Sequence, residues 1–173
     1  MKKEGDPKIN NPQFRYPDKA AYEFVVNRLA DRGVQLEDLA DIVYTTQHKF
    51  EPRLTKEEAL TELIHTLHKR DLLNNAMVML ELDRLTEAGQ LASPLSDIIA
   101  NDAGVFGVDE TLALQIANIY GTIGATNFGY LDREKSGIIR SFDQGNPHVT
   151  TFIDDLLAAI VAAVCGKIAH KYA

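Results

Sequence analysis

The stretch Thr150-Thr151-Phe152-Ile153-Asp154-Asp155-Leu156-Leu157-Ala158-Ala159-Ile160-Val161-Ala162-Ala163-Val164-Cys165-Gly166-Lys167-Ile168-Ala169-His170 constrains this chain most. Two adjacent carboxylates open an almost unbroken run of apolar and small residues. The run does not alternate, and it holds too much alanine for a strand. A helix that is apolar on every side is buried, in protein or in lipid. The uncharged run from Leu156 to Gly166 is shorter than the roughly 20 apolar residues that span a bilayer. The pattern therefore predicts a central helix whose alanines let neighbouring helices approach closely. At its N-terminus the helix dipole favours the negative charge of Asp154 and Asp155 by about 0.3–1 kcal/mol. One aspartate there is accounted for as an N-cap; the second is not. Two adjacent anions at a partly buried helix mouth need a cation, which is the first pointer to a metal.

The length of 173 residues suits one domain with a sizeable core. The expected division is a flexible N-terminal arm over 1–16 and a single all-α domain over 17–173. Met1 to Tyr16 carries Pro7, Pro12 and paired asparagines, and no apolar signal-peptide core. A cytoplasmic protein is expected. The net charge of -7 argues against general binding to nucleic acid or to an anionic membrane surface. The single cysteine, Cys165, has no partner for an internal disulfide and reads as a small core residue.

Helical spacing predicts a first helix over about 18–32 (Tyr22, Val25, Val26, Leu29 inward, Gly33 as stop) and a second over about 36–48. Thr55 and Glu58 read as a capping box opening a third helix to about Arg70. A fourth runs from about Leu72 to Ala88 and could continue the third. Ser93 reads as an N-cap, with Pro94 at the first helical position of a short helix to about Ala100. Beyond Asn101 glycines crowd between apolar segments. Leu112, Ile116, Ile119 and Tyr120 lie along a helix opened by Asp109-Glu110. Tyr130 to Phe142 reads as a loop with a short helix, and Gln144 to Pro147 as a turn. No segment reads as a strand. The predicted fold is all-α, a multi-helix orthogonal bundle around the apolar C-terminal helix.

Carboxylates recur at the starts of apolar segments: Asp109-Glu110, Asp132 and Asp154-Asp155. Helix N-termini facing one another would gather them into an oxygen-only site. Such a site suits magnesium, manganese or calcium rather than zinc or copper. Lys135 and Arg133 are placed in sequence to neutralise a phosphate, as are free backbone N–H groups at a helix mouth.

Three stretches carry a family resemblance: Val108-Asp109-Glu110; Tyr130-Leu131-Asp132-Arg133-Glu134-Lys135 with Ile138-Ile139-Arg140-Ser141-Phe142-Asp143; and Phe152-Ile153-Asp154-Asp155-Leu156-Leu157-Ala158. In this order and spacing they resemble the phosphatidylglycerophosphatase A family. The family motifs fall within 104–170. Val108 to Leu114, with Asn127-Phe128-Gly129-Tyr130, is similar to a soluble branch of that family, the low-temperature-requirement C branch. The resemblance implies a magnesium-dependent phosphatase acting on phosphatidylglycerol phosphate. It implies Asp109, Glu110, Asp132, Asp154 and Asp155 as metal-site acids and Lys135 as a phosphate contact; an acid among them not committed to metal is a candidate base. The Gly- and Pro-rich N-terminal motif of membrane members has no counterpart here, and Ser136 stands where the family has proline.

The resulting expectation is a magnesium-dependent phosphomonoesterase. Its substrate would be a phosphorylated lipid head group or another phosphomonoester, met by peripheral membrane contact in the first case. It would bind no nucleic acid, and its apolar surfaces suggest a homo-oligomer. A rival reading is a non-catalytic oligomeric protein that uses a divalent ion to join helices or subunits. Another is an all-α nucleotide pyrophosphatase built on Glu57, Glu58, Glu62, Glu81 and Asp83. Glu62 and His65 have the spacing of a carboxylate-bridged iron site, but the required second copy is missing. Leu29 to Ala40 resembles a helix-turn-helix, yet Glu37, Asp38 and Asp41 would repel a phosphate backbone.

Overall fold

A computed structural model of the protein describes residues 11–143 and 147–173. Helices follow one another as α1 (Asp18–Asp31), α2 (Leu36–Gln47), α3 (Lys56–Leu67), α4 (Arg70–Glu87), α5 (Leu95–Ala100), α6 (Val108–Ala117), α7 (Thr122–Glu134), α8 (Arg140–Asp143) and α9 (Ile153–Tyr172). Single 3-10 turns occupy Asn118–Tyr120 and Gly137–Ile139. No strand occurs among the described residues, and the fold is all-α. Residues 1–10 of the expected arm, and 144–146 of the expected Gln144 to Pro147 turn, lie outside the described residues.

Helix α9 is the predicted apolar helix. Every side chain from Leu156 to Cys165 is fully buried. It can be apolar all round because α2, α3, α4, α6 and α7 all pack against it. Full burial of each of its leucine, isoleucine and valine side chains contributes about 1.5–3 kcal/mol. Cys165 sits in this core with its thiol pushed up to about 12 by burial, consistent with a packing role.

Helix α7 crosses α6 and α9 at glycines. A Cβ on Gly124 would lie 2.0 Å from the Ala117 carbonyl oxygen, and one on Gly166 would lie 3.1 Å from the Gly124 nitrogen. The close approach accounts for Gly124, although glycine ordinarily weakens a helix by about 1 kcal/mol. It also corrects the sequence reading downstream. Tyr130 to Glu134 is the end of α7 and not a loop, because α7 runs through the glycine-rich stretch. Asp132 therefore lies in the last turn of a helix rather than at the start of one.

Other local expectations shift as well. Helix α6 stops at Ala117, so Ile119 and Tyr120 fall in the 3-10 turn. Helices α3 and α4 are separate, broken at His68-Lys69, where the His68 ring stacks on Tyr22 at 4.2 Å. Helix α5 begins at Leu95, so Pro94 is its N-cap position; the Ser93 hydroxyl donates to the Asp97 side chain. Thr55 Oγ1 accepts from the Glu58 N–H at 3.1 Å, which is half of the predicted capping box. The Glu58 carboxylate turns instead to Lys171 Nζ, at 2.7 Å, and to the Tyr172 hydroxyl. A charged partner outcompetes the backbone N–H for that carboxylate.

Candidate metal centre

Asp109 and Glu110 are the second and third residues of α6, and Asp154 and Asp155 hold the same positions in α9. Gly107 sets the entry to α6 from the left-handed region (φ 65°), a conformation that favours glycine. The two helix N-termini converge, so that carboxylate oxygens of Asp109, Glu110 and Asp155 lie within 4.8 Å of one another. Asp109 and Asp155 are each only 6% exposed, while Glu110 is exposed. Both helix dipoles place their positive ends at the cluster.

Burial and mutual repulsion dominate the electrostatics. Burial pushes the Asp155 carboxyl up to about 8, and Asp154, Asp132 and Asp109 add to the rise. Burial and Glu110 push Asp109 up to about 7. Asp109 Oδ1 is buried with no hydrogen-bond partner. Such an atom ordinarily costs about 1–3 kcal/mol.

A second group adjoins the first. Lys135 Nζ donates to Asp132 Oδ1 at 2.7 Å and to Asp154 Oδ2 at 2.9 Å. Burial alone would lower the Lys135 pKa, but the two carboxylates outweigh it and raise it. Burial raises Asp154, and the Lys135 ammonium opposes that rise. Lys135 is the C-cap of α7 and is held at φ 47°, ψ 60°. Glycine is the usual residue at such a left-handed cap, so the ammonium is kept at a backbone cost of about 1–2 kcal/mol. Arg133 is exposed, about 100° round α7 from Asp132. Arg140 Nε donates to the Lys135 carbonyl oxygen at 3.3 Å.

Neither Asp154 nor Asp155 caps α9. The cap position is Phe152, and Asp83 of α4 performs the capping. The Phe152 N–H lies 3.2 Å from both Asp83 oxygens, and the Ile153 N–H donates to Asp83 Oδ2 at 3.1 Å. Burial pushes Asp83 up to about 8, against the pull of the two N–H groups and Arg32. The sequence reading placed this residue among the acids of the pyrophosphatase alternative and gave it no role at α9; it lies on the buried side of α4 with Leu72, Ala76, Met79, Leu80 and Thr86.

The acids of the pyrophosphatase reading are dispersed. Glu58 and Glu62 pair with Lys171, and Glu62 also pairs with Lys167 at 2.7 Å. Glu81 pairs with Arg84 and Arg28, and Asp83 serves α9. Glu62, whose spacing to His65 suggested iron, is occupied by two ammonium groups. The converging α6 and α9 termini, by contrast, present only oxygen donors, one of them orphaned. This fits a hard divalent cation.

The fold and this mouth define an all-α protein with an oxygen-donor cluster where two helix N-termini converge. Residues 29–170 match the family model described as phosphatidylglycerophosphatase A, and the chain belongs to that family. The low temperature requirement C protein from Listeria monocytogenes superposes with a TM-score of 0.84 at 40% identity, covering 88% of this chain and 97% of that one. Two proteins of Bacillus subtilis (strain 168) described as uncharacterized are also similar. YpjQ is 38% identical over 91% of this chain and 89% of its own length. YutG is 41% identical over 83% of this chain and 87% of its own length. The resemblance to the low-temperature-requirement C branch holds. Among the described residues, no helix is long and apolar enough to cross a membrane.

Proposed function

We propose that the chain is a magnesium-dependent phosphomonoesterase that hydrolyses phosphatidylglycerol phosphate or a closely similar phosphate ester. The acid cluster itself carries this reading: Asp109, Glu110 and Asp155 each bring a carboxylate oxygen within 4.8 Å of the others, and Asp109 keeps a buried Oδ1 with no hydrogen-bond partner. That oxygen is a ligand atom prepared and left without a protein partner.

Asp109, Glu110 and Asp155 would hold the ion, with Mn2+ or Ca2+ as substitutes for Mg2+. A divalent ion bound there supplies charge stabilisation to the phosphoryl oxygens and acidifies a water. Lys135, fixed between Asp132 and Asp154, meets the negative phosphate at the edge of the acid cluster. Asp132 and Asp154 orient that ammonium and are candidates to take a proton from water. Arg133, exposed beyond Asp132, is a candidate outer contact for the substrate's negative charge. Glu110 and Asp132 are both solvent-accessible. That accessibility supports a site a substrate can enter, and disfavours a closed ion that only joins helices.

Family membership supports a phosphorylated lipid as the substrate, met at the membrane surface by a cytoplasmic, peripherally associating protein. The half-exposed Val78, beside Phe24, Met77 and Leu82, supports a homo-oligomer. The test is phosphate release from phosphatidylglycerol phosphate and a panel of soluble phosphomonoesters, with millimolar MgCl2 or EDTA. Magnesium-dependent release from at least one ester is expected. No release from any ester under either condition would overturn the reading.

A further inference from the structure

The geometry points to Asp83 as a positioning residue for the acid site: its carboxylate clamps the first turn of α9 so that Asp154 and Asp155 are delivered to different partners. This extends the phosphomonoesterase reading, because the roles of Asp154 and Asp155 are taken from it.

The first N–H groups of a helix have no partner inside the helix. In α9 the local sequence offers no cap, since Phe152 stands at the N-cap position. Asp154 and Asp155 follow one and two residues after the first helical residue. If either turned back to cap the turn, it would leave the site. Asp83 removes that competition by taking the N–H groups of Phe152 and Ile153 at 3.1–3.2 Å. Asp154 is thereby free for Lys135, and Asp155 for Asp109 and Glu110. Adjacent helical side chains diverge by about 100°, so the rotational setting of the first turn decides which acid faces which group.

The location of Asp83 supports this role. It is 2% exposed, at a buried position of α4 whose other members are mostly apolar. A buried carboxylate is expensive unless its hydrogen bonds are satisfied, and this one is satisfied by the backbone of the element that carries the site acids. The approach to α9 is pinned around the same point. The Arg32 guanidinium donates to the Val149 carbonyl oxygen. Thr151 Oγ1 donates to the Ile99 carbonyl oxygen at 2.6 Å, and the Phe152 ring meets Phe106 edge-on at 5.7 Å. Helices from the polar N-terminal half, α1, α4 and α5, thus converge on the entry to α9. That half contributes no acid to the cluster, yet it sets the cluster's geometry.

The experiment compares the parent with Asp83→Asn, which retains one acceptor oxygen, and Asp83→Ala, which retains none. Mn2+ binding is measured by titration well below the melting temperature of each variant, and backbone amide exchange is mapped in EDTA. We expect Mn2+ affinity to fall at least tenfold in Asp83→Ala and by less in Asp83→Asn. We also expect accelerated exchange concentrated at residues 152–156. A destabilised Asp83→Ala that binds Mn2+ as the parent does would overturn the assignment. If the parent itself binds no Mn2+, the metal reading fails and Asp83 is judged on exchange alone. Acceleration confined to 152–156 then supports the clamp, and acceleration spread evenly over the chain refutes it.

Discussion

Lys135 Nζ stands 2.9 Å from Asp154 Oδ2, across 19 residues of chain that turn back from the end of α7 to the start of α9. The same ammonium holds Asp132, so two carboxylates share one positive charge, carried by a residue in a backbone conformation usually left to glycine. Replacing Lys135 with methionine keeps length and removes charge. On the phosphomonoesterase reading, Lys135→Met should lower turnover at least a hundredfold, while Mn2+ binding by Asp109, Glu110 and Asp155 persists. It should also cost about 1–3 kcal/mol of stability, because Asp154 keeps its burial and loses its counter-charge. Phosphate release, metal titration and a thermal melt on one preparation separate the three effects.

Asp155→Asn tests the cluster itself. It keeps size and deletes one of the repelling charges. The variant should lose Mg2+ binding and phosphatase activity, while the metal-free protein melts at the same or a higher temperature. Millimolar Mg2+ should raise the melting temperature of the parent and leave that of the variant unchanged. A parent indifferent to Mg2+, Mn2+ and Ca2+ would sink the metal-centre reading.

The acids also predict a direction for pH dependence. Burial holds Asp83, Asp109 and Asp155 at about 8, 7 and 8, against an ordinary 3.8. Between about pH 4 and pH 8 the folded, metal-free protein therefore binds protons that the unfolded chain has released. Its stability falls as pH rises through that window. Lys135, raised above 10.5, stays charged throughout and does not alter the sign. Each tenfold difference in proton affinity is about 1.4 kcal/mol, and each kcal/mol is roughly 2–4 °C for a chain of this size. In EDTA the melting temperature should be at least about 5 °C lower at pH 8 than at pH 5, and Mg2+ should recover most of the loss at pH 8. A melting temperature that rises over the same interval would contradict the burial of these carboxyls.

Two glycines in α7 should respond oppositely to alanine. At Gly124 the added methyl would lie 2.0 Å from the Ala117 carbonyl oxygen, a backbone atom that cannot swing aside. Gly124→Ala should cost about 3 kcal/mol, or roughly 6–12 °C. At Gly129 no atom lies within 4 Å of the added carbon, and Gly129→Ala should stabilise by about 0.5–1 kcal/mol. Chemical denaturation of both variants checks the pair.

The contrast between those glycines shows what the sequence could reveal. The periodicities of α1, α2, α3, α4 and α9 were legible because each has an inward apolar stripe or an apolar surface all round. Of the five acids expected to gather, Asp109, Glu110 and Asp155 lie together, while Asp132 and Asp154 are held by Lys135. The end of α7 was not legible, because glycine marks both a broken helix and a close crossing, and only the neighbouring backbone decides between them. The cap of α9 was hidden for a related reason. Local rules look for a capping side chain within a few residues, whereas Asp83 comes from 69 residues away. The Glu58 half of the capping box failed because Lys171, 113 residues distant, offered a charge.

The Gly124–Gly166 contact also bears on ion size. At that crossing the two backbones meet with no room for a Cβ on Gly124. On the metal reading, any adjustment to a larger or smaller cation falls to the side chains at the mouth. Asp109 and Asp155 are short and buried, with little freedom of reach. Glu110 is exposed and one methylene longer. Magnesium needs oxygens at about 2.0–2.1 Å and calcium at about 2.3–2.6 Å. Discrimination between the two then rests on the reach of a single glutamate, and Glu110→Asp should alter the ratio of their affinities more than it alters the fold.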